Sequence, residues 1–148
     1  MGLEVKAGFE LEFQILTSDS TCPNSDILSE KRKNPVEFAP YASADGLDCH
    51  LEDIMAINEA LDAAGIEVNL FHKECAPGQV EIVTGYGPVL EICDKHMMAR
   101  HLVSGVLKRR GKKACFVPNF TQDGVGSGCH VHFSLWKDGV NITSSKIE

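Results

Sequence analysis

Residues 5–16 alternate between apolar and other side chains, up to the apolar pair Ile15-Leu16 at the end of the segment. The apolar positions are Phe9, Leu11, Phe13 and Ile15. Because successive side chains of a β-strand point to opposite faces, this period of two predicts a strand with one face buried in a core. The other face then carries two carboxylates, Glu10 and Glu12. A strand of this kind is stable only within a larger sheet, which limits the folds that are open to the chain.

Two later segments repeat this arrangement of polar side chains along one strand face. Residues 79–83 predict a strand that presents Gln79 and Glu81 together, and Glu74 lies just upstream, before a Pro-Gly turn. Residues 130–135 predict a strand whose polar face carries His130, His132 and Ser134. A solvated strand face is the simpler interpretation of each segment alone. Their recurrence on three strands favours one shared site.

The chemistry of these side chains is typical of a site for hard divalent cations. Same-face carboxylates on a strand stand roughly 6.5–7 Å apart and repel one another when they are left unpaired. A divalent cation relieves that repulsion. A carboxylate-rich site with one or two imidazoles suits Mg²⁺ or Mn²⁺ better than zinc, and phosphate oxygens commonly complete the shell.

The rest of the chain predicts an α+β fold with a largely antiparallel sheet and two main helices. Asp48 is placed to cap the first helix and Gly65 to end it, with Leu51, Ile54, Met55 and Leu61 at helical spacing. The second helix starts at Pro88 and closes at Gly111. Further strands are predicted at residues 66–71 and 114–117, and residues 17–48 form a long polar excursion.

Composition excludes several classes of function. The net charge of -7 argues against nucleic acid and anionic membrane as partners, and no apolar run is long enough to span a bilayer.

The six cysteines contain no C-x-x-C pair, so free thiols in the cytoplasm are expected, with Cys129 as a packed thiol. The basic cluster at residues 108–113 is interpreted as a solvated helix end. His72, His96 and His101 are interpreted as structural.

Three segments together resemble the catalytic domain of the glutamine synthetase family. Residues 8–13, GFELEF, resemble its E-x-E strand, and residues 74–81, ECAPGQVE, resemble its E-x-x-P-G-Q-x-E segment. Residues 126–135, GSGCHVHFSL, are similar to its G-S-G-x-H-x-H-x-S-L segment. The segments occur in the family's order and at about its spacing.

The resemblance implies an ATP-dependent carboxylate–amine ligase that acts through a γ-glutamyl phosphate and uses Mg²⁺ or Mn²⁺. It implies that Glu12, Glu74 and Glu81 hold one metal and that Glu10 and His130 hold another. The nucleotide-binding residues that it implies are Thr84, Gly85, Tyr86, His132, Phe133 and Ser134. Val125 and Gly126 would lie near the substrate, a glutamate-like acid that is joined to ammonia or an amine.

The chain also departs from the family pattern. Val125 occupies a position that is usually Asn, and Asn119-Phe120 replaces Lys-Pro, which favours divergent branches such as the FluG type or the γ-glutamylpolyamine synthetases. Residues 1–148 are expected to be a partial catalytic domain, without the family's small N-terminal domain and C-terminal half, and to form a homo-oligomer when full length. A non-catalytic scaffold is the main alternative. A phosphotransferase of the related guanidino-kinase fold is disfavoured by the carboxylate–histidine set.

Overall fold

A computed structural model of the chain describes residues 2–18, 38–119 and 124–143. Within them, seven strands form one sheet. In chain order the elements are β1 (Leu3–Thr17), α1 (Ala44–Asp48), α2 (Leu51–Ala63), β2 (Val68–Lys73), β3 (Gln79–Thr84), β4 (Gly87–Pro88), α3 (Val89–Arg109), β5 (Lys112–Cys115), β6 (Cys129–Lys137) and β7 (Val140–Asn141). The predicted α+β fold with two main helices is confirmed.

The long strand β1 is the centre of the sheet. It pairs with β3 through residues 10–14 and with β6 through residues 3–11, and it also pairs with β4 and β5. Every pairing in the described sheet is antiparallel. The alternation in residues 5–16 therefore locates the strand from which the whole sheet is built.

The core lies between the apolar face of the sheet and the helices α2 and α3. Phe13 and Ile15 of β1 are completely buried there, against Leu61 of α2 and Val103 of α3. Burying such a side chain stabilises the folded state by roughly 1.5–3 kcal/mol. The apolar positions of the period-two pattern in β1 are therefore the ones that hold the sheet against the helices. None of the helices in the described part of the chain is both long and apolar enough to cross a bilayer.

The buried face of α2 differs from the predicted one. Leu51 and Met55 are about half exposed, whereas Asp53, Ile57 and Leu61 are buried. Relative to the predicted orientation, α2 is rotated about its axis. Asp53 therefore lies beside the cationic side chains of Arg110 and Lys112, and Ile57 and Leu61 pack in the core. Sequence spacing alone did not reveal this rotation, because both faces of α2 carry apolar residues.

Several element boundaries also differ from the predicted ones. Asp48 does not cap α2; it ends the short helix α1, and the N-cap of α2 is His50, whose side chain makes no capping bond. β2 and β5 each lie about two residues away from their predicted positions. Of the predicted excursion at residues 17–48, residues 19–37 lie outside the described residues.

The cysteines only partly match the expectation of free thiols. Cys49, Cys75, Cys93 and Cys129 are free and exposed. Cys115 is disulfide-bonded, which contradicts the expectation for that residue. Disulfide pairing depends on how the fold brings the chain together, and the scattered spacing of the cysteines carried no signal for it.

A network of charges joins α2 to the end of α3. The carboxylate of Asp53, which is 1% exposed, accepts hydrogen bonds from Arg110 and Lys112, and Arg110 also lies 2.9 Å from Glu52. The basic cluster is therefore partly engaged in structure rather than simply solvated. Burial alone would raise the pKa of Asp53, but the bonds and charges of Lys112 and Arg110 outweigh it and lower that pKa below its ordinary 3.8.

We expect Asp53→Asn to lower the free energy of unfolding by about 1–3 kcal/mol, because both cations lose a charged partner. A lowered pKa makes the contribution complete above the unfolded value of 3.8 and removes it as the pH falls through the folded value. The difference between wild type and variant should therefore be constant from about pH 5 to 8 and shrink in stronger acid. Urea unfolding across pH measures it, with the exposed Asp62→Asn on the same helix as control. A difference that did not depend on pH would contradict the assignment.

Candidate metal and nucleotide site

The polar face of the sheet brings the predicted carboxylates and imidazoles together. Strand register places Glu10 of β1 opposite His130 of β6, and Glu12 opposite Glu81 of β3. The next strand, β2, places His72 opposite Glu81. Directly opposed residues of an antiparallel pair point to the same face, so these side chains form one row across four strands.

Glu10, Glu81 and His130 form the first group of possible metal ligands. One ligand atom from each lies within 4.8 Å of the others. The Nδ1 atom of His130 is 3.2 Å from Oε2 of Glu10. Two carboxylates and an imidazole around one point form a donor set that fits Mg²⁺ or Mn²⁺.

A second group consists of His72, Glu74 and Glu81, whose ligand atoms also lie within 4.8 Å of one another. The Nδ1 atom of His72 is 3.0 Å from Oε1 of Glu74. The sequence predicted a structural role for His72 and did not indicate its place in this group. The only sign of this role in the local sequence is the position of His72 two residues before Glu74. What brings His72 to the site is its register opposite Glu81, which depends on how β2 and β3 pair in the sheet.

Glu12 lies beside these two groups and is nearly buried, with 7% of its surface exposed. Its Oε2 atom accepts hydrogen bonds from Nε2 of Gln79 at 2.7 Å and from the backbone N–H of Gly128 at 2.9 Å. Its Oε1 atom is 3.6 Å from Nδ1 of His130. One oxygen is thus held by the protein while the other faces the site.

The electrostatics of the site favour a bound cation. Burial raises the pKa of Glu81, and the negative charges of Glu10, Glu74 and Glu12 raise it further, against a smaller opposing effect of His72. The ionised form of Glu81 is therefore less favourable in the folded protein than in an exposed glutamate. A divalent cation between these groups would offset the repulsion, which is the behaviour expected of a cation site.

A cleft of about 300 Å³ continues from the carboxylates along β1 and β6. Among the predicted nucleotide-binding residues, those that line it are Thr84, Tyr86, His132, Phe133 and Ser134. His132 connects the cleft to the first group, because its Nε2 atom is 2.8 Å from Oε1 of Glu10. Gly85 instead lines a neighbouring cavity of about 120 Å³, where it lies against Glu67.

The glycine-rich loop at residues 124–128 closes the other end of the row. The carbonyl oxygen of Gly126 is 3.1 Å from Nε2 of Gln79, and the N–H of Ser127 donates to the carbonyl of Pro118 at 2.8 Å. Val125 is about half exposed beside these contacts. The loop is therefore fixed against the carboxylate row, although residues 120–123 lie outside the described part of the chain.

Cys129 differs from the packed thiol that was predicted. It lies on the apolar side of the sheet, with Sγ 3.7 Å from Nε2 of His96, but it is exposed. This part of β6 extends past the cover of α3, since Val131 and Phe133 are also 50% and 67% exposed. Partial burial of the thiol raises the pKa of Cys129, which disfavours the thiolate that a nucleophile requires.

Comparison with known proteins gives the family. Residues 1–148 match the sequence model described as "Glutamine synthetase, catalytic domain". The chain belongs to the glutamine synthetase family. It is 31% identical over 136 residues to type-1 glutamine synthetase 1 of Dictyostelium discoideum, which aligns 91% of this chain with 27% of that protein. It is 40% identical over 142 residues to the gamma-glutamylpolyamine synthetase GlnA3 of Streptomyces coelicolor, with 95% and 28% covered.

Solved structures agree with this assignment and with the fold. A structure described as a GmaS/ADP complex superimposes with a TM-score of 0.81 at 25% identity, covering 99% of this chain and 33% of that one. This glutamine synthetase-type chain thus spans about a third or less of the proteins it matches.

Proposed function

We propose that the chain forms the metal- and nucleotide-binding part of an ATP-dependent carboxylate–amine ligase of the glutamine synthetase type. The observation that carries this proposal is the pair of carboxylate–imidazole groups that share Glu81, in a chain of this family. Residues 1–148 would then be one part of a larger catalytic domain, because the relatives are more than three times as long as their matched regions.

The proposed reaction has two steps. An oxygen of the γ-carboxylate of a glutamate-like acid attacks the γ-phosphorus of ATP, and ADP leaves. Ammonia or an amine then attacks the carbonyl carbon of the resulting γ-glutamyl phosphate, inorganic phosphate leaves, and the nitrogen loses a proton. Charge develops on phosphoryl oxygens in both steps, so fixed positive groups near those oxygens stabilise the transition states.

The residues of the row have separate roles in this proposal. Glu10 and His130 would hold the cation on the phosphate side, and Glu12, Glu74 and Glu81 would hold the cation on the acid side. Mg²⁺ or Mn²⁺ bound there supplies positive charge to phosphate and carboxylate oxygens. His72 contacts Glu74 and would orient that carboxylate as well as offer its own ligand atom.

The cleft that runs along β1 and β6 is the proposed nucleotide site. His132, Phe133 and Ser134 line it on one side and Thr84 and Tyr86 on the other. His132 contacts Glu10, so a nucleotide in the cleft would have its phosphates directed toward the first group of ligands. The structural similarity to a GmaS/ADP complex supports ADP and ATP as occupants. Gly85 does not line this cleft, so it would contribute to nucleotide binding through the conformation of the backbone between Thr84 and Tyr86.

The acid substrate is proposed to lie near Val125 and Gly126, beside the second group. Val125 offers no side-chain hydrogen bond, so recognition of the acid there would depend on backbone groups. We place the protein in the cytoplasm because four of its cysteines are free thiols, which is typical of a reducing compartment; the disulfide of Cys115 is the exception to this pattern. Homo-oligomerisation of the full-length protein is part of the same proposal, by analogy with the family.

The test is an assay of ADP formation by the full-length protein that carries this chain, with Mg²⁺ or Mn²⁺, glutamate and a panel of amines that includes ammonia. Sustained ADP formation should require both acid and amine, because the amine consumes the γ-glutamyl phosphate that is formed in the first step. Glu10→Gln should lower the rate at least about a hundredfold, because a cation ligand next to the phosphates is lost. The exposed Glu59→Gln on α2 is the control. ADP binding without turnover would favour the scaffold alternative.

A further inference from the structure

Gln79 begins β3 on the polar face, and its side chain is completely buried. Its Oε1 atom accepts a hydrogen bond of 2.8 Å from the N–H of Ala76, in the turn that follows Glu74. Its Nε2 atom lies 2.7 Å from Oε2 of Glu12, 3.1 Å from the carbonyl of Gly126 and 3.3 Å from Oγ of Ser127. One amide therefore joins the turn after Glu74, the central strand and the glycine-rich loop.

These contacts determine how Glu12 is presented. With Oε2 held by Gln79 and by the N–H of Gly128, rotation of the carboxylate would break two charge-assisted hydrogen bonds. Oε1 is consequently the oxygen that faces His130. The bond from Gly128 also holds the residue that immediately precedes β6, two positions before His130.

We propose that Gln79 is a positioning residue: it orients the Glu12 carboxylate toward the cation site and holds the Gly126–Gly128 loop and the Glu74 turn in register with it. The inference rests on the proposed function, in which Glu12 takes part in cation binding. Loss of such an outer contact typically lowers metal affinity about 10–100-fold while the ligands themselves remain.

The first test compares Mn²⁺ affinity by electron paramagnetic resonance, well below the unfolding temperature of each variant. Gln79→Met, which keeps the volume and removes both polar groups, should bind Mn²⁺ about 10–100-fold more weakly. Gln79→Asn keeps the amide on a shorter arm that cannot reach Ala76 and Glu12 together, and it should fold even if the Met variant does not. Gln14→Met is the matched control, since Gln14 is buried opposite Gln79 but has no bond to Glu12.

The second test asks whether Gln79 acts through Glu12. In a double-mutant cycle, Gln79→Met should have little further effect on Mn²⁺ affinity once Glu12→Gln is present. In the absence of metal, amide exchange at Gly128 should become faster in Gln79→Met and stay unchanged in Gln14→Met. If Gln79 had only a structural role, Gln79→Met would lower the free energy of unfolding, but its effect on Mn²⁺ affinity would not depend on Glu12.

The outcomes separate the two hypotheses. If wild type binds Mn²⁺ and Glu12→Gln weakens binding, but the Gln79 variants bind like wild type or add fully to Glu12→Gln, the positioning role is wrong and the proposed function stands. If wild type does not bind Mn²⁺, or Glu12→Gln leaves its affinity unchanged, both the positioning role and the assignment of Glu12 are wrong.

Discussion

Glu81→Gln is expected to remove the stabilisation that Mn²⁺ gives the folded protein. Glu81 belongs to both groups of possible ligands, so its loss leaves neither complete. At a Mn²⁺ concentration one hundred times the dissociation constant, binding raises the free energy of unfolding by about 2.7 kcal/mol, and most of this should disappear in the variant.

The metal-free variant provides the internal check on this expectation. Because burial and neighbouring carboxylates raise the pKa of Glu81, its ionised form disfavours the folded state at neutral pH. Replacement by neutral Gln should therefore leave the metal-free protein at least as stable as wild type. Thermal unfolding with and without Mn²⁺ measures both effects, and Glu59→Gln should retain the full metal shift. A Glu81→Gln protein that kept this shift would contradict the assigned cation site.

The second large effect is expected for Gly126→Ala. A Cβ atom at this position would lie 2.3 Å from the carbonyl oxygen of Pro118, and a backbone atom cannot move aside as a side chain can. The loop must shift, which disturbs the bonds from Ser127 to Pro118 and from Gln79 to Gly126. We expect a loss of about 1–3 kcal/mol in stability and a further loss of about 10–100-fold in Mn²⁺ affinity.

Gly105→Ala is the matched control for this substitution. Gly105 lies within α3, and the nearest atom to its added Cβ is Nη1 of Arg109 at 3.5 Å, an ordinary contact. Alanine in a helix interior should stabilise the protein by about 0.5–1 kcal/mol. Urea unfolding measures the stability of both variants, and Mn²⁺ titration measures their metal affinity. If Gly126→Ala is as stable as Gly105→Ala and binds Mn²⁺ as tightly, the prediction for the loop is wrong.

The polar row was predictable where it depends on strand period alone. Alternation in β1 fixes Glu10 and Glu12 on one face whatever the strand pairs with, and the same holds for His130 and His132 in β6. His72 was missed because its role depends on the register of β2 against β3, which shifts between Val68 and Leu70. No local pattern encodes such a shift.

Burial was the less predictable property, because it depends on what covers a surface. The alternation in β6 predicted a covered apolar face, but Phe133 is 67% exposed in the described chain. Asp53 was not singled out and is 1% exposed, because Arg110 and Lys112 come from the junction of α3 and β5. Both outcomes are tertiary effects that a single segment cannot specify.

The pairing of β1 with β6 has a consequence for synthesis on the ribosome. Glu10 and His132 touch although they are 122 positions apart in the chain. Long separations of this kind delay assembly, since the intervening polypeptide must be made and ordered before the ends can meet. A nascent chain that still lacks residues 129–137 has its acidic strand but no imidazole partners for it from β6, so this pocket cannot form until those residues have been synthesised.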